Sequence, residues 1–466
     1  MCRRLHIPTQ LVLGVAVAAM LALEALRGSA TLGTSTAWPL AQALVGVLAL
    51  VFAWRRQEEL TLPLLLVLGL VLHSGWIAVH LARGVDADYD ASVAYLDQGN
   101  ALLDGTYPSS EYPPGAVVLF AFEALVGGGS VRVSHALAMV PFQLAVVAAV
   151  WLLRTRSSRW FAAVLALWPL NAFFWEFKFD LVPTAFLVFG LVFASRERWL
   201  LAGALLGVGA ATKWAPALTV LALVLWLLAS RRWRAAAAHA AGAGAAFLVI
   251  NIPFLVWSAR DVLSAYTFQA QRGLIGESLA YIPLRLLGRA HLNGEFWDPA
   301  QVPDWANGAA IAVQTVALVA SLVIVATRGR NTAAAVATAA MVPVVFLIFN
   351  RVFSPQFLVL MTAAWAVAGS LLARNARAQL VLGALVFGAT LSNVLVYPTL
   401  SSSWGVFSAL LFLFAFAATG WVYASLPAHG SRRPQRAGES SSTSLPPNAP
   451  PDVNCARLSA RGTRAR

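Results

Sequence analysis

The sequence predicts an all-α fold: a polytopic bundle of transmembrane helices with about fourteen spans. Three observations predict it. Of the 466 residues, 59% are hydrophobic and 11% charged, against about 25% charged in an ordinary soluble domain. Apolar runs near the roughly 20 residues that cross a bilayer recur along the chain. Most of the arginines fall between those runs or in the C-terminal tail, as they do in cytoplasmic loops. No water-soluble core hides that much apolar surface, so membrane lipid is the first expected partner.

Taken in order, the chain opens Met1-Cys2-Arg3-Arg4 and enters an apolar run at 11–26. Glu24 and Arg27 spoil a small-residue cleavage pattern, so a retained first helix is expected rather than a signal peptide. Runs at 38–54 and 62–81, parted by Arg55 and Arg56, complete an N-terminal helical region, 1–82. The next stretch differs from every other gap. It holds Asp86, Asp88, Asp90, Asp97, Asp104 and Glu111. The apolar run 113–126 is short and opens with two prolines. A helix lying on the membrane surface or re-entering it is expected there, and 83–126 forms a first outer loop. The region 127–257 carries runs at 131–153, 160–175, 181–194, 200–211, 216–228 and 235–257. A second polar region, 258–307, is a further outer loop. Runs at 308–327, 333–349, 353–372, 379–397 and 404–423 fill the segment 308–427. The tail 428–466 is rich in Ser, Pro and Arg, and a disordered cytoplasmic segment is expected.

Arginine placement tests this map. With the amino terminus inside and 113–126 not crossing, every inside gap is basic: Arg55/Arg56, Arg154/Arg156/Arg159, Arg196/Arg198, Arg231/Arg232/Arg234, Arg328/Arg330 and Arg374/Arg377. Counting 113–126 as a span would move the Arg154, Arg196 and Arg231 clusters outside, against the positive-inside rule. Both termini are therefore expected in the cytoplasm. The acidic stretch, 258–307 and short turns around Lys178 and Asn350 are expected outside. The formal charge of +13 thus reports topology, and no nucleic-acid partner is expected. Cys2 and Cys455 stand at the two ends and make no disulfide or metal framework. The histidines show no zinc spacing, and no transporter-type internal repeat is evident.

Chemistry concentrates in a few places. Val85-Asp86-Ala87-Asp88-Tyr89-Asp90 sets three carboxylates directly after a span. Such a triplet is a solvated loop, a divalent-cation site, or a general base tuned by its neighbours. A sugar transferase needs a base of this kind, because an acceptor hydroxyl attacks poorly until its proton is taken. No other cofactor is implied. The loop continues through Tyr95, Gly99, Leu102-Leu103-Asp104-Gly105 and Tyr107-Pro108 to Glu111-Tyr112-Pro113-Pro114-Gly115. This succession resembles the first outer loop of glycosyltransferase family 87, bacterial and chiefly actinobacterial polyprenol-phosphate-mannose-dependent mannosyltransferases of the GT-C superfamily. Gln271-Arg272-Gly273-Leu274-Ile275-Gly276-Glu277-Ser278 resembles an Arg-Gly-Leu…Glu-Ser element of a later outer loop. Arg351-Val352-Phe353-Ser354-Pro355-Gln356-Phe357 resembles a Ser-Pro-Gln-Tyr element, and Ala211-Thr212-Lys213-Trp214-Ala215-Pro216 a Thr-Lys…Pro element. The four follow one another in order from about Asp86 to Phe357. One departure stands out. The family's aspartate position, four residues before the tyrosine, is Ala91 here, with Asp90 one residue away. Two of the spans before the loop also look like an additional N-terminal pair.

The resemblance implies a GT-C type bundle in the plasma membrane with its active site on the outer face. It implies transfer of a hexose, mannose foremost, from a polyprenyl-phosphate donor to a glycolipid or glycan acceptor, with inversion. Asp90, Asp88 or Asp86 is then the catalytic base. Lys213, Arg272 and Arg351 lie outside against the charge trend; they snorkel at the interface or, as the resemblance implies, bind the donor phosphate. Glu111, Tyr112, Tyr95, Glu277 and Gln356 are the expected substrate-binding residues. Glu176, Lys178 and Asp180 are expected to pair within one short turn. Trp297, Trp305 and Tyr281 stack on sugars or belong to an interfacial aromatic belt. A transporter or flippase is the rival, and it requires functional charges near the bilayer midplane.

Overall fold

The structure is a computed structural model that describes residues 8–27, 36–84, 90–108, 110–127, 131–292, 294, 298–398 and 404–427. The tail 428–466, Cys2, Cys455, Asp86, Asp88 and Trp297 lie outside the described residues. Among the described residues the fold is helical, with two isolated β-bridges, Ile275 to Pro299 and His291 to Gln301.

The helices run α1 (Thr9–Leu26), α2 (Ala37–Arg55), α3 (Leu62–Ala82), a π-helical turn (Asp90–Ala94), α4 (Tyr95–Leu103), α5 (Pro114–Gly127), α6 (Val131–Trp151) and α7 (Arg156–Leu167). A 3-10 turn (Pro169–Asn171) leads to α8 (Ala172–Phe177), α9 (Leu181–Ser195), α10 (Trp199–Thr212), α11 (Ala215–Ala229), α12 (Trp233–Gln271) and α13 (Tyr281–Leu286). Then come α14 (Asp304–Arg328), α15 (Thr332–Ile348), α16 (Phe357–Leu372), α17 (Ala376–Val396) and α18 (Trp404–Ala424). Among the described residues eight helices are long and apolar enough to cross a membrane alone: α1, α2, α3, α6, α12, α14, α17 and α18. The α7–α8 pair and the shorter apolar helices α9, α10, α11, α15 and α16 occupy the other predicted spans. The polytopic all-α bundle expected from the sequence is the fold observed.

Helices α7, α9, α15 and α16 are buried along nearly their whole length and form the centre. Trp160, Trp168 and Trp365 fill it at 1% exposure or less. Helices α12 and α14 instead present apolar side chains outward, Val256 and Val316 among them, as lipid-facing helices do. Close helix contact here comes from small residues rather than hydrophobic drive. Gly203 and Gly207 of α10 lie against the α12 backbone, where a Cβ at Gly203 would stand 2.0 Å from the His239 carbonyl oxygen. Polar side chains close helix starts beside the arginine-rich loops. Thr61, Thr155, Asn331 and Asn375 accept from the N–H groups of Leu64, Ser158, Ala334 and Ala378, which would otherwise be unsatisfied.

Three elements differ from expectation. The run 160–175 is not one helix: it bends by 52° where Pro169 removes an N–H and crowds the preceding turn. The run 353–372 becomes helical only at Phe357, because Pro355 forbids a regular start further back. The loop 258–307 begins helical, as α12 continues to Gln271 after non-helical Ser258 (φ −148°, ψ 77°). Thirty-nine residues of helix would reach ~58 Å, nearly twice the roughly 30 Å hydrocarbon core, so the break near 257 divides a span from an extension beyond it.

Short helices locate the functional region. Helices α9, α10, α11, α15 and α16 have 14 to 17 residues, or roughly 21–26 Å. At that length each falls short of the roughly 30 Å hydrocarbon core, and irregular backbone at such depth is tolerated only inside protein or along a water-filled cavity. All five meet three turns, 178–180, 213–214 and 349–356, at ends the sequence assigns to the outer side.

The topology has a direct test. Asp104 and Arg156 are exposed and fall on sides assigned opposite, so they serve as probes. In a background lacking Cys2 and Cys455, Asp104→Cys is expected to label with a membrane-impermeant maleimide from outside, and Arg156→Cys only after permeabilisation. Labelling of both from one side would overturn the outer-face assignment.

Candidate active site

The three turns open on a cavity of about 1270 Å³. Its lining includes Asp90, Glu111, Tyr112, Lys213, Arg272, Glu277, Arg351 and Gln356, so the structure brings together eight candidates scattered from 90 to 356. Asp90 opens the π-helical turn behind α3. Its Oδ2 accepts from Lys178 Nζ at 2.6 Å. The backbone at Lys178 is extended (φ −131°, ψ 138°), which lets that side chain leave α8 toward the α4 side of the cavity.

Lys213 ends α10 with extended backbone, and its Nζ donates to Asp180 Oδ1 at 2.6 Å. The same Nζ stands 5.0 Å from the Phe179 ring centroid and 4.9 Å from that of Phe357, a cation–π cradle. Burial pushes the Asp180 carboxyl up and Lys213 opposes it. The Oδ2 of Asp180 has no hydrogen-bond partner among the described residues.

On the opposite rim two sequence elements lock together. The Ile275 N–H donates to the Arg351 carbonyl at 3.1 Å, and a guanidinium nitrogen of Arg351 donates to the Ala270 carbonyl. Leu274 N–H donates to Asn307 Oδ1 at 2.8 Å, and Asn393 Nδ2 to the Pro355 carbonyl at 3.0 Å. These bonds anchor 272–278 and 351–356 to α14 and α17. Arg272 faces Glu111 across 3.7 Å. Tyr112 packs edge-on against Phe120 and Phe179. Burial holds its hydroxyl well above the usual phenol range, with Asp90 and Glu111 pushing the same way, so it is a hydrogen-bond donor at neutral pH. Apolar side chains, Phe268, Ile311 and Phe346, complete the lining, and the Arg272 guanidinium stands over the Phe268 ring, 5.8 Å from its centroid.

Other candidates sit elsewhere. Tyr95 is fully buried behind Tyr112, stacked on Phe120 at 4.2 Å. Tyr281 is fully buried against Leu274 and Leu284, and Trp305 is exposed. Glu176, Lys178 and Asp180 were expected to pair with one another. Instead each makes its hydrogen-bonded ion pair to a different element, with His80, Asp90 and Lys213 respectively. The reason is that α8 is only six residues long and gives way to extended backbone at Lys178 and helical backbone again at Asp180, so the three side chains do not share one helix face. Lys178 is therefore a cavity residue that the sequence reading placed in a local pair. The shortness of the runs 181–194, 200–211 and 216–228 was the signal that could have found it. Among the described residues no group of three or more His, Cys, Asp or Glu gathers as a metal cluster.

Compared with known proteins, the chain matches the model of glycosyltransferase family 87 over residues 111–355, just over half its length. The matched segment holds Glu111, Tyr112, Lys213, Arg272, Glu277 and Arg351 and leaves the acidic triplet before it. Among curated proteins no relative matches. With a family match of that extent across the cavity's own elements, the chain belongs to glycosyltransferase family 87 and is a membrane glycosyltransferase.

Proposed function

We propose that this enzyme moves a hexose, mannose foremost, from a polyprenyl-phosphate donor to a glycolipid or glycan acceptor at the outer face of the plasma membrane. The observation that carries it is one cavity joining a carboxylate, Asp90, to the basic groups Lys178, Lys213, Arg272 and Arg351. Small-molecule sites usually enclose about 300–1,000 Å³; at about 1270 Å³ this one has room for a sugar phosphate and an acceptor together. The apolar lining at Phe268, Ile311 and Phe346 suits the first isoprene units of a lipid entering from the bilayer.

In the proposed reaction Asp90 takes the acceptor hydroxyl proton. The freed oxygen attacks the anomeric carbon from the face opposite the phosphate, and the carbon–oxygen bond to phosphate breaks with its electron pair leaving on the phosphate. The product is inverted. Lys213, Arg272 and Arg351 stabilise the developing negative charge, and Lys178 fixes Asp90. Glu111, Tyr112, Glu277 and Gln356 are positioned to bind sugar hydroxyls.

One structural pattern favours an enzyme over a transporter. The buried carboxylates among the described residues are Glu24, Glu123, Glu176, Asp180 and Glu277. Glu24 and Glu176 stand near the ends of α1 and α8, Asp180 and Glu277 in loops, and Glu123 on α5, all on the side assigned outside, whereas transporter sites sit near the midplane. Membranes containing the enzyme are expected to transfer label from polyprenyl-phosphate-mannose. A signal from polyprenyl-phosphate-glucose or a pentofuranosyl lipid alone would replace the donor sugar, and no transfer from any of them would overturn the polyprenyl-phosphate donor.

A further inference from the structure

Behind the cavity, on the far side of the turn that carries Lys178, lies a buried bridge of charges. His80 of α3 contacts two carboxylates: its Nδ1 is 2.6 Å from Glu176 Oε2 and its Nε2 3.0 Å from Glu24 Oε1. All three side chains are at 1% exposure or less. Each contact needs a proton between nitrogen and oxygen, which an imidazolium between two carboxylates supplies. Around it, Gln42 Nε2 donates to Glu24 Oε2 at 2.7 Å. Arg83 donates to both the carbonyl and Oε1 of Glu24, and Arg27 stands 3.8 Å from the same carboxylate. Arg132 lies over the Phe177 ring.

This bridge is not what packing alone would select. Buried ion pairs are often matched or bettered in stability by apolar side chains of similar volume. Its position supplies the better reason. Glu176 is two residues before Lys178, and the intervening Phe177 ring stacks on His80, 5.9 Å between centroids and 10° between planes. The His80 side therefore grips Glu176 and Phe177, and the next side chain, Lys178, reaches the other way to Asp90. Glu24, which holds His80 in turn, and Gln42, which holds Glu24, come from α1 and α2, outside the segment shared with the family.

We propose that Glu24, His80 and Glu176 are positioning residues for Lys178, through which the first two helices set the geometry of the transfer site. The proposal rests on the reading of the cavity given above. Its test uses the chain's own composition, since Lys178 and Lys213 are its only lysines. Reductive methylation of the full-length protein in detergent with ¹³C-formaldehyde gives one dimethyl-lysine resonance for each beside the terminal amine. Lys178→Arg and Lys213→Arg assign them. In Glu24→Gln the Lys178 resonance is expected to move and the Lys213 resonance to stay. Without methylation, that variant's kcat is expected to fall about tenfold, with donor KM little changed, because small misplacements at a reacting centre cost rate. Gln42→Met keeps every charge and is expected to do the same to a smaller degree, which covers the case that Glu24→Gln does not fold. Unmoved Lys178 resonances in the folded variants would overturn the proposal and leave the bridge as an anchor of the first helices. A resonance that moves while Lys178→Met keeps full transfer would instead overturn the reading of the cavity, and the positioning role with it.

Discussion

Asp90→Asn is expected to lower sugar transfer by a factor of about 10²–10⁴, the usual cost of removing a general base, with insertion and donor binding retained. Asparagine keeps the size of the side chain and can still accept from Lys178, so loss of basicity is separated from loss of packing. Asp90 is the described carboxylate of the acidic triplet, and it lines the cavity beside Lys178 at 2.6 Å. The control is the set Asp86→Asn, Asp88→Asn and the triple variant, measured as initial rates in membranes with matched protein levels. Loss of activity at Asp90 and one other aspartate together would point to a shared divalent cation, and chelator should then inhibit the unmodified enzyme. Full transfer in all the single variants and in the triple variant would reduce this loop to a solvated face and end the proposed mechanism.

A second large effect is expected at Arg351. A charge-assisted hydrogen bond to phosphate contributes about 1.5–3 kcal/mol net, and 1.4 kcal/mol is already tenfold. Arg351→Ala should therefore lose at least tenfold in transfer rate. Arg351 also ties the 351–356 turn to the end of α12 through the Ala270 carbonyl, but Asn393 and Ile275 hold the same segment independently. Insertion and thermal stability in detergent should for that reason remain close to normal. Arg351→Lys should recover part of the rate, since an ammonium brings charge without the planar fork of donors. Near-normal transfer by Arg351→Ala would remove this residue from the phosphate site.

Much of this protein was legible in its residues, for reasons that lie in their solvent preference. Apolar runs placed nearly every helix, because in lipid a backbone must satisfy its own hydrogen bonds and a helix is the local way to do so. Arginine pairs between runs single out α5 (Pro114–Gly127) as the helix expected not to cross. The order of the Glu-Tyr-Pro-Pro-Gly, Thr-Lys, Arg-Gly-Leu and Ser-Pro-Gln elements carried the family.

What sequence could not decide were partnerships across long separations. Lys178 and Asp90 are 88 positions apart, and His80 and Glu176 are 96; neither pair has a local signature. From sequence, Glu176, Lys178 and Asp180 looked like one self-paired turn, the cheapest arrangement for alternating charges near a membrane surface. Packing overruled it. The bend at Pro169 and the extended residue after α8 turn these three side chains toward α3, the acidic loop and α10. Tyr95 fell the other way, from expected site to core, because its ring finds Phe120 and Phe179 before it finds the cavity. Solvent preference is a property of each residue and can be read one position at a time. Which charge meets which depends on how the helices pack, and only the tertiary structure decides that.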